Sequence, residues 1–276
     1  MTPLPSVAYT KTMFAMARGL LTAYEDRGKG PAVVLLHGLG ATGHAFDRVV
    51  EALEDRYRLI VPDLLGNGRT EKPEGDYSPA ALAGHVADLL DRIGVGPLHA
   101  IAGHSLGAAV AIELAARRPG AGLCLIDPPP PGGSRLVGLA ASLAGGKVSI
   151  ELGSLLVPTR WLTRRWLRFL FADPERLSEE TIARYTEAAL LPGYAYATVR
   201  SIRALGRLAL PQPRVAGTLI LWGEEDPIFP ASGATAWLAR FPAAEVVLLP
   251  ACGHCPTEET PSAVAASLSA FLGKLP

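Results

Sequence analysis

Short, mostly apolar runs recur along this chain and alternate with longer stretches that have helical periodicity. Strands that are buried on both faces have this apolar pattern, and they occur in parallel sheets covered by helices. Strands are predicted over 12–17, 20–26, 32–36, 57–61, 98–102, 123–126, 218–222 and 245–249, and helices over 45–54, 80–93, 108–118, 232–240 and 258–272. The alternation predicts an α/β fold with a mostly parallel central sheet and helices on both faces.

One long region interrupts this alternation. Between 128 and 213 the sequence predicts helices alone, and proline-rich segments at 128–131 and 211–213 mark its two ends. Proline fixes φ and removes a backbone donor, so these segments leave the sheet rather than extend it. We expect 1–127 and 214–276 to form the core, with 128–213 as a helical cap inserted after the sixth strand. Open α/β sheets bind ligands at this edge, so we expect a lid; the alternative is a second subdomain with no role in access.

The composition limits the kinds of partner. The chain has 26 lysine and arginine residues against 26 aspartate and glutamate residues, so nothing favours binding to nucleic acid or another acidic partner. No apolar run reaches the roughly 18 residues that span a bilayer, and the first residues lack a signal-peptide pattern. Three cysteines provide no disulfide framework, as is typical of a reducing compartment. We therefore expect a cytoplasmic protein with a small-molecule substrate and no membrane span, and the oligomeric state stays open.

Residues 103–107 read Gly-His-Ser-Leu-Gly and lie between a predicted strand and a predicted helix. In this context the glycines allow a turn too sharp for larger residues and leave the hydroxyl of Ser105 above the sheet edge. The backbone N–H of Leu106 is then at a helix N-terminus, where developing negative charge is favoured. The pattern predicts a nucleophilic serine; the alternative is an ordinary connection between a strand and a helix.

Four further motifs, together with residues 103–107, resemble those of the α/β-hydrolase superfamily and occur in the same order. Residues 37–40 (His-Gly-Leu-Gly) resemble its oxyanion loop, and 63–70 resemble its D-x-x-G-x-G-x-S signature with threonine in place of the last serine. Residues 222–227 resemble the acid-bearing turn, and 252–256 resemble the histidine loop. The similarity extends over nearly the whole chain and is loosest in the cap. The chain is identified as resembling a capped member of this superfamily with a Ser-Asp-His triad.

The resemblance implies the residues of that triad, and the chemistry requires the same residue types. A serine hydroxyl is a weak nucleophile at neutral pH, and histidine can act as its base and later as an acid. A buried carboxylate fixes the imidazole tautomer and stabilises the imidazolium. Ser105, Asp226 and His254 supply the order serine, acid, histidine that the family has. Asp127 also ends a strand and is the alternative acid, although we expect it to be a structural group where the cap begins.

The oxyanion hole is implied to consist of two backbone N–H groups, those of Leu39 and Leu106. Both donors belong to the backbone, so the residue types at these positions do not test the assignment. His37 and His104 adjoin the loop and the serine, and we expect them to brace loops through hydrogen bonds rather than to act as the base.

The sequence predicts a serine hydrolase that cleaves a carboxylic ester or lactone of a small apolar molecule through an acyl-enzyme, with no metal and no organic cofactor. Cys252 and Cys255 form a C-x-x-C pair, but no second pair completes a thiolate zinc site. Hydrolysis of a C–C bond in a diketone-like substrate is one alternative. A ligand-binding or biosynthetic protein that reuses the pocket is another. Ser105 in place of aspartate argues against haloalkane dehalogenase or epoxide hydrolase activity, since those relatives use a carboxylate nucleophile.

Within the predicted cap, residues 160–171 combine four arginines with aromatic residues at helical spacing. We expect an amphipathic helix with its arginines in water and its aromatic rings on the inner side of the lid. The alternative is a surface that meets lipid or an acidic carrier domain. Tyr185, Tyr194 and Tyr196 are further candidates for the pocket wall, and the sequence does not rank them.

Overall fold

The computed structural model describes residues 12–134 and 159–276, in which eight strands form one sheet. The strands are β1 (Met13–Ala17), β2 (Leu20–Arg27), β3 (Ala32–Leu36), β4 (Arg58–Pro62), β5 (Ala100–His104), β6 (Gly122–Ile126), β7 (Thr218–Gly223) and β8 (Glu245–Leu249). Their order in the sheet is β1-β2-β4-β3-β5-β6-β7-β8. The pairings of β1 with β2 and of β2 with β4 are antiparallel, and those from β4 through β8 are parallel. The predicted mostly parallel sheet is confirmed.

Helices fill most of the connections between these strands. They are α1 (Asp47–Leu53), α2 (Pro79–Arg92), α3 (Leu106–Arg117), α4 (Arg160–Leu170), α5 (Glu179–Ala189), α6 (Tyr194–Leu205), α7 (Ala234–Arg240), α8 (Pro256–Glu259) and α9 (Pro261–Leu272). Helices α4 to α6 come between β6 and β7, within the predicted cap; residues 135–158 of that cap lie outside the described residues. Across the described ranges, no helix combines the length and the apolar character needed to cross a membrane.

The core has two halves, one on each face of the sheet. Successive side chains of a strand point to opposite faces, so Val34 and Leu36 of β3 contribute to one half while Val33 and Leu35 contribute to the other. Helices α2, α3 and α7 cover the first half, and α1 and α9 cover the second. The side chains of β5 and β6 are buried at every position, as expected for strands covered on both faces.

The predicted bounds differ from the observed ones at two places that matter for the site. Strand β5 was predicted to end at residue 102, but it continues to His104 because His104 still pairs with Ile126 of β6. The single helix predicted over 258–272 is two helices, α8 and α9. Pro261 causes the break, because proline cannot donate to the preceding turn and it disfavours a helical conformation at Thr260, which has φ −132° and ψ 52°.

Helices α4 and α5 contact the loop after β8 and two helices of the core. The backbone N–H of His254, in the loop after β8, donates to the carbonyl of Leu170 at 2.7 Å. Arg184 of α5 contacts Asp47 of α1 at 2.6 Å, and Tyr185 donates to Glu258 of α8 at 2.7 Å. The described part of the predicted cap is therefore held to the core beside His254.

Candidate active site

Ser105 is the single residue between β5, which ends at His104, and α3, which begins at Leu106. Its backbone has φ +52° and ψ −115°, a conformation that non-glycine residues rarely adopt. A β-carbon on Gly103 would collide with the carbonyl of Gly107, and one on Gly107 would lie 2.6 Å from the carbonyl oxygen of His37. The two glycines are therefore required for the sharp turn, and the strain at Ser105 is of the kind found at functional sites.

The structure brings the three predicted triad residues together. The Oγ of Ser105 lies 3.1 Å from Nε2 of His254, and Nδ1 of His254 lies 2.7 Å from Oδ2 of Asp226. Each of the three residues is 6% exposed, so the chain of hydrogen bonds is almost entirely shielded from water. In this arrangement Nδ1 of His254 carries the proton and donates a hydrogen bond to the carboxylate of Asp226. Nε2 is then free to accept a hydrogen bond from Ser105.

Asp226 is held in place by its second oxygen. Its Oδ1 accepts hydrogen bonds from the backbone N–H groups of Ile228 at 2.7 Å and Phe229 at 3.0 Å. The ring of Phe229 also contacts the imidazole of His254 edge-on, with 5.4 Å between ring centroids. The turn after β7 thus fixes both the acid and one side of the histidine ring.

His104 and His37 brace the surrounding loops, as the sequence predicts. Nε2 of His104 donates to the carbonyl of His254 at 2.7 Å, and burial lowers the pKa of His104 to about 3, so its ring is neutral. Nε2 of His37 accepts from the N–H of Leu64 at 2.9 Å, and its Nδ1 donates to the carbonyl of Gly38 at 2.8 Å. Burial also lowers the pKa of His37. Both ring nitrogens of His37 and Nε2 of His104 bond to backbone groups, and the hydroxyl of Ser105 bonds to His254 instead.

The loop that carries Leu39 lies beside the serine. A β-carbon on Gly38 would be 3.3 Å from Cβ of Ser105, so the backbone passes directly over this residue. Leu106 occupies the first position of α3, where backbone N–H groups have no partner within the helix. The two segments expected to provide the oxyanion donors therefore both adjoin Ser105.

Asp127, the alternative acid, does not bond to His254 in this structure. It follows β6 with φ +42°, it is fully buried, and its Oδ1 accepts from the N–H of Gly223 at 2.8 Å. Among the described residues, its Oδ2 has no hydrogen-bond partner. Burial, and to a lesser extent the charge of Asp226, raises the pKa of Asp127 well above its ordinary value, which favours the protonated form of this carboxyl. A neutral carboxyl cannot stabilise an imidazolium as a carboxylate does.

Two groups of side chains could be considered for a metal ion within the described ranges. His104, Asp127 and His254 offer atoms within 4.8 Å of one another, but both ring nitrogens of His254 already face Asp226 and Ser105. The other group is Glu25, His44 and Asp47, where the guanidinium of Arg184 already contacts the Asp47 carboxylate. In each group, therefore, at least one residue already has a competing partner: His254 in the first and Asp47 in the second.

The cysteines near His254 are not activated. Cys252 and Cys255 are buried and free, and burial raises the pKa of Cys252 to about 12. Burial also raises the pKa of Cys255 well above its ordinary value. A reactive cysteine needs a thiolate, so these residues pack as neutral thiols.

The expectation for the aromatic residues of 160–171 was wrong for the three on α4 and correct for Phe171, which follows the helix, is 5% exposed and packs in a cluster with Leu167 and Cys255. Trp161, Trp166 and Phe169 are 64%, 54% and 54% exposed, while Leu167 and Leu170 face inward. Leucine at positions i and i+3 forms the buried stripe, so the inner side of this helix is aliphatic and the rings lie on its outer side.

Sequence reasoning missed one half-buried pair beside the site. Glu258 lies four residues after His254 and accepts a hydrogen bond from Tyr185 at 2.7 Å. Burial raises the pKa of Glu258 to about 7. Nothing local in the sequence signals this contact, because its partners are 73 residues apart.

A family model described as the alpha/beta hydrolase family matches residues 33–267. The match includes every residue of the predicted triad and oxyanion loop, and it covers most of the chain. The chain belongs to the alpha/beta hydrolase family. Its eight-stranded sheet and the order of its motifs agree with that membership, and we classify the protein as a hydrolase.

Characterised relatives of this hydrolase differ in the reactions that their names describe. It is 30% identical over 286 residues to haloalkane dehalogenase 2 of Mycobacterium bovis, covering 97% of this chain and 96% of that protein. It is 27% identical over 282 residues to the 2-hydroxy-6-oxo-6-(2'-aminophenyl)hexa-2,4-dienoic acid hydrolase of Metapseudomonas resinovorans, covering 95% and 90%. A solved structure of a thermophilic esterase from Thermogutta terrifontis superposes with a TM-score of 0.79 at 25% identity, covering 96% and 99%.

Proposed function

We propose that this hydrolase is a serine hydrolase that cleaves a carboxylic ester or lactone of a small apolar molecule through an acyl-enzyme. The observation that carries the proposal is the continuous hydrogen-bonded series from Ser105 through His254 to Asp226, at 3.1 and 2.7 Å. A binding protein has no need of a buried serine in a strained turn whose hydroxyl faces the free nitrogen of a carboxylate-oriented histidine.

In the proposed reaction, Nε2 of His254 accepts the proton of Ser105 as Oγ attacks the carbonyl carbon. The carbonyl oxygen becomes an oxyanion, and the N–H groups of Leu39 and Leu106 donate to it. His254 then gives its proton to the departing alkoxide, and the acyl group stays on Ser105. Water attacks this acyl-enzyme by the same route and releases the carboxylic acid. Asp226 stays ionised throughout and stabilises the imidazolium.

The proposed domain division is a core of residues 1–127 and 214–276 with a cap of 128–213 that controls access. Three contacts of the described cap support a lid at the carboxyl edge of the sheet. Leu170 accepts from the loop after β8, Arg184 pairs with α1, and Tyr196 packs edge-on against Tyr77 at 6.1 Å. Specificity then depends on the space between this cap and Ser105.

The proposed chemistry uses no metal and no organic cofactor, because the nucleophile, base, acid and oxyanion donors are all protein groups. We propose that the protein acts in the cytoplasm. The three free cysteines support a reducing compartment, since each is buried as a thiol.

A second candidate reaction is hydrolysis of a C–C bond in a diketone-like substrate. The similarity to the dienoic acid hydrolase of Metapseudomonas resinovorans favours it. The same serine and histidine would serve, but the leaving group would be a carbon acid rather than an alcohol. The similarity to a haloalkane dehalogenase does not extend to the nucleophile that we expect for such enzymes, because Ser105 stands where they use aspartate.

Hydrolysis of p-nitrophenyl esters from acetyl to decanoyl tests the proposal. Wild-type protein is compared with Ser105→Ala and with Ser262→Ala, which removes an exposed hydroxyl from α9 as a control. We expect turnover in the wild type and in Ser262→Ala and its loss in Ser105→Ala, with the preferred acyl chain reporting the size of the pocket. Equal turnover in the wild type and Ser105→Ala would contradict the proposed nucleophile. Absence of turnover on every ester, with cleavage of a vinylogous 1,5-diketone, would favour C–C hydrolysis.

A further inference from the structure

The first residue of α6 in the cap lies against the oxyanion loop of the core. The hydroxyl oxygen of Tyr194 is 2.8 Å from the position that a β-carbon on Gly40 would occupy. Gly40 has φ +75°, a conformation that favours glycine, and the absence of a side chain leaves the space that this hydroxyl fills. On the other side, a β-carbon on Gly193 would be 2.8 Å from Cβ of Lys72, so the start of α6 is closely packed on the core.

Gly40 directly follows Leu39, the proposed oxyanion donor. Gly38, on the other side of Leu39, lies next to Cβ of Ser105. Consecutive Cα atoms are 3.8 Å apart, so the backbone from Gly38 to Gly40 spans at most about 7.6 Å. The hydroxyl of Tyr194 and the nucleophile therefore adjoin the two ends of one three-residue segment.

The hydroxyl of Tyr194 is available as a donor. Burial raises the pKa of Tyr194 above its ordinary value. The hydroxyl of Thr198, one turn later, lowers this pKa by a smaller amount. The phenol is therefore protonated at neutral pH. Other cap and core tyrosines are committed elsewhere: Tyr185 donates to Glu258 at 2.7 Å, and Tyr77 donates to the carbonyl of Pro73 at 2.7 Å. The structure thus favours Tyr194 over Tyr185 as a donor to a substrate, a choice that the sequence leaves open.

We infer that Tyr194 is a third hydrogen-bond donor to the substrate's acyl oxygen, supplied by the cap beside the backbone donors of Leu39 and Leu106. This inference rests on the proposed ester hydrolysis. Tyr194 keeps its proton throughout and forms no covalent bond; its hydroxyl donates more strongly as the carbonyl oxygen gains negative charge. The oxyanion site is then complete only when the start of α6 is seated on Gly40, which couples closure of the cap to the chemical step.

Tyr194→Phe removes this hydroxyl alone, and Tyr196→Phe is the matched control. Tyr196 is on the same helix, two residues later, and its hydroxyl accepts from the N–H of Gly75 at 3.3 Å, away from the oxyanion loop. Loss of a donor used only in the transition state lowers kcat, whereas loss of a group that binds the ground state and the transition state equally raises KM alone. We expect kcat to fall about 10²-fold in Tyr194→Phe with KM nearly unchanged, and we expect Tyr196→Phe to match the wild type. An unchanged kcat, or a rise in KM alone, would overturn the inference.

A pair of inhibitors provides a second readout that does not depend on turnover. A trifluoromethyl ketone adds to a serine hydroxyl and generates an oxyanion, while the corresponding methyl ketone binds as an intact carbonyl. We expect Tyr194→Phe to weaken the binding of the trifluoromethyl ketone about as much as it lowers kcat and to leave methyl ketone affinity unchanged. Equal losses for both ketones, or no loss for either, would refute a role in oxyanion stabilisation.

The two proposals fail in different ways. If the wild type hydrolyses no ester and does not bind the trifluoromethyl ketone, the proposed function fails and the role of Tyr194 fails with it. If the wild type does both and Tyr194→Phe equals it, only the role of Tyr194 fails.

Discussion

Replacing Asp226 by asparagine tests which carboxyl orients His254. Oδ1 of Asp226 accepts two backbone N–H groups, from Ile228 and Phe229, while Oδ2 faces Nδ1 of His254 at 2.7 Å. An asparagine must turn its carbonyl oxygen toward the two N–H donors, so its NH₂ group faces the histidine. His254 can then accept this hydrogen bond only in the tautomer that carries its proton on Nε2. In that tautomer the ring cannot take the proton of Ser105.

The expected loss follows from this reversal of tautomer. An asparagine substitution that preserves geometry but imposes the wrong tautomer lowers kcat about 10⁴-fold, which corresponds to about 5.4 kcal/mol of transition-state stabilisation. The assay is kcat for the best p-nitrophenyl ester at pH 7.5, with protein folding checked by thermal denaturation. Asp226→Asn keeps the side-chain volume and both backbone contacts, so we expect its Tm to stay near that of the wild type.

Asp127→Asn is the matched control. Asp127 accepts the N–H of Gly223 through Oδ1, and an amide oxygen can replace that acceptor. Burial raises the pKa of its carboxyl well above the ordinary value, which favours the uncharged form that asparagine resembles. We therefore expect kcat within about threefold of the wild type. If Asp127→Asn loses as much activity as Asp226→Asn, or if Asp226→Asn retains more than about a tenth of kcat, the assignment of the acid is refuted.

Two further predictions concern stability. Burial raises the pKa of Glu258 to about 7, so the folded protein holds the proton of this carboxyl more tightly than the unfolded chain does. The free energy of unfolding should therefore fall by up to about 3 kcal/mol as pH rises from about 4.5 to 7. Glu258→Gln keeps an acceptor for Tyr185, so urea unfolding at pH 5 and pH 8 should show a smaller fall in the free energy of unfolding than in the wild type. The prediction is contradicted if Glu258→Gln shows the wild-type fall, or if the exposed control Glu224→Gln reduces the fall as much. Gly107→Ala should destabilise the fold by about 3 kcal/mol or more, because its β-carbon meets the carbonyl groups of Leu36 and His37, whereas Gly96→Ala, with no atom within 4 Å, should leave Tm nearly unchanged. Comparable Tm values for these two glycine variants would show that the turn tolerates a side chain.

Much of the fold could be predicted because its signals are local. Strand β8 was predicted over 245–249 and is found there, because a short apolar run bounded by turn residues has few alternatives. Strand β5 was displaced by two residues, since a glycine and a histidine do not resemble a buried strand until their pairing with β6 is known. The helix break at Pro261 carries a local signal that the prediction did not use.

In the candidate site, too, local motifs could be predicted from the sequence and long-range contacts could not. Ser105, Asp226 and His254 follow strands in motifs whose glycines and prolines restrict the backbone, so their positions could be read from the chain. Contacts such as Tyr194 with Gly40 and Tyr185 with Glu258 join residues far apart in sequence, and no periodicity encodes them. The outward rings of α4 were misjudged because aromatic and leucine residues look equally apolar until the inner side of the helix is known.

Covalent labelling of Ser105 tests the central claim most directly. The protein is treated with a fluorophosphonate, which phosphonylates a serine whose proton an adjacent base can remove, and the adduct is located by peptide mass spectrometry. The account predicts one adduct per chain, on Ser105, which forms at least about 10³-fold more slowly in His254→Ala because the base is lost. An adduct on another residue, or labelling at the wild-type rate in His254→Ala, would contradict the proposed nucleophile and base.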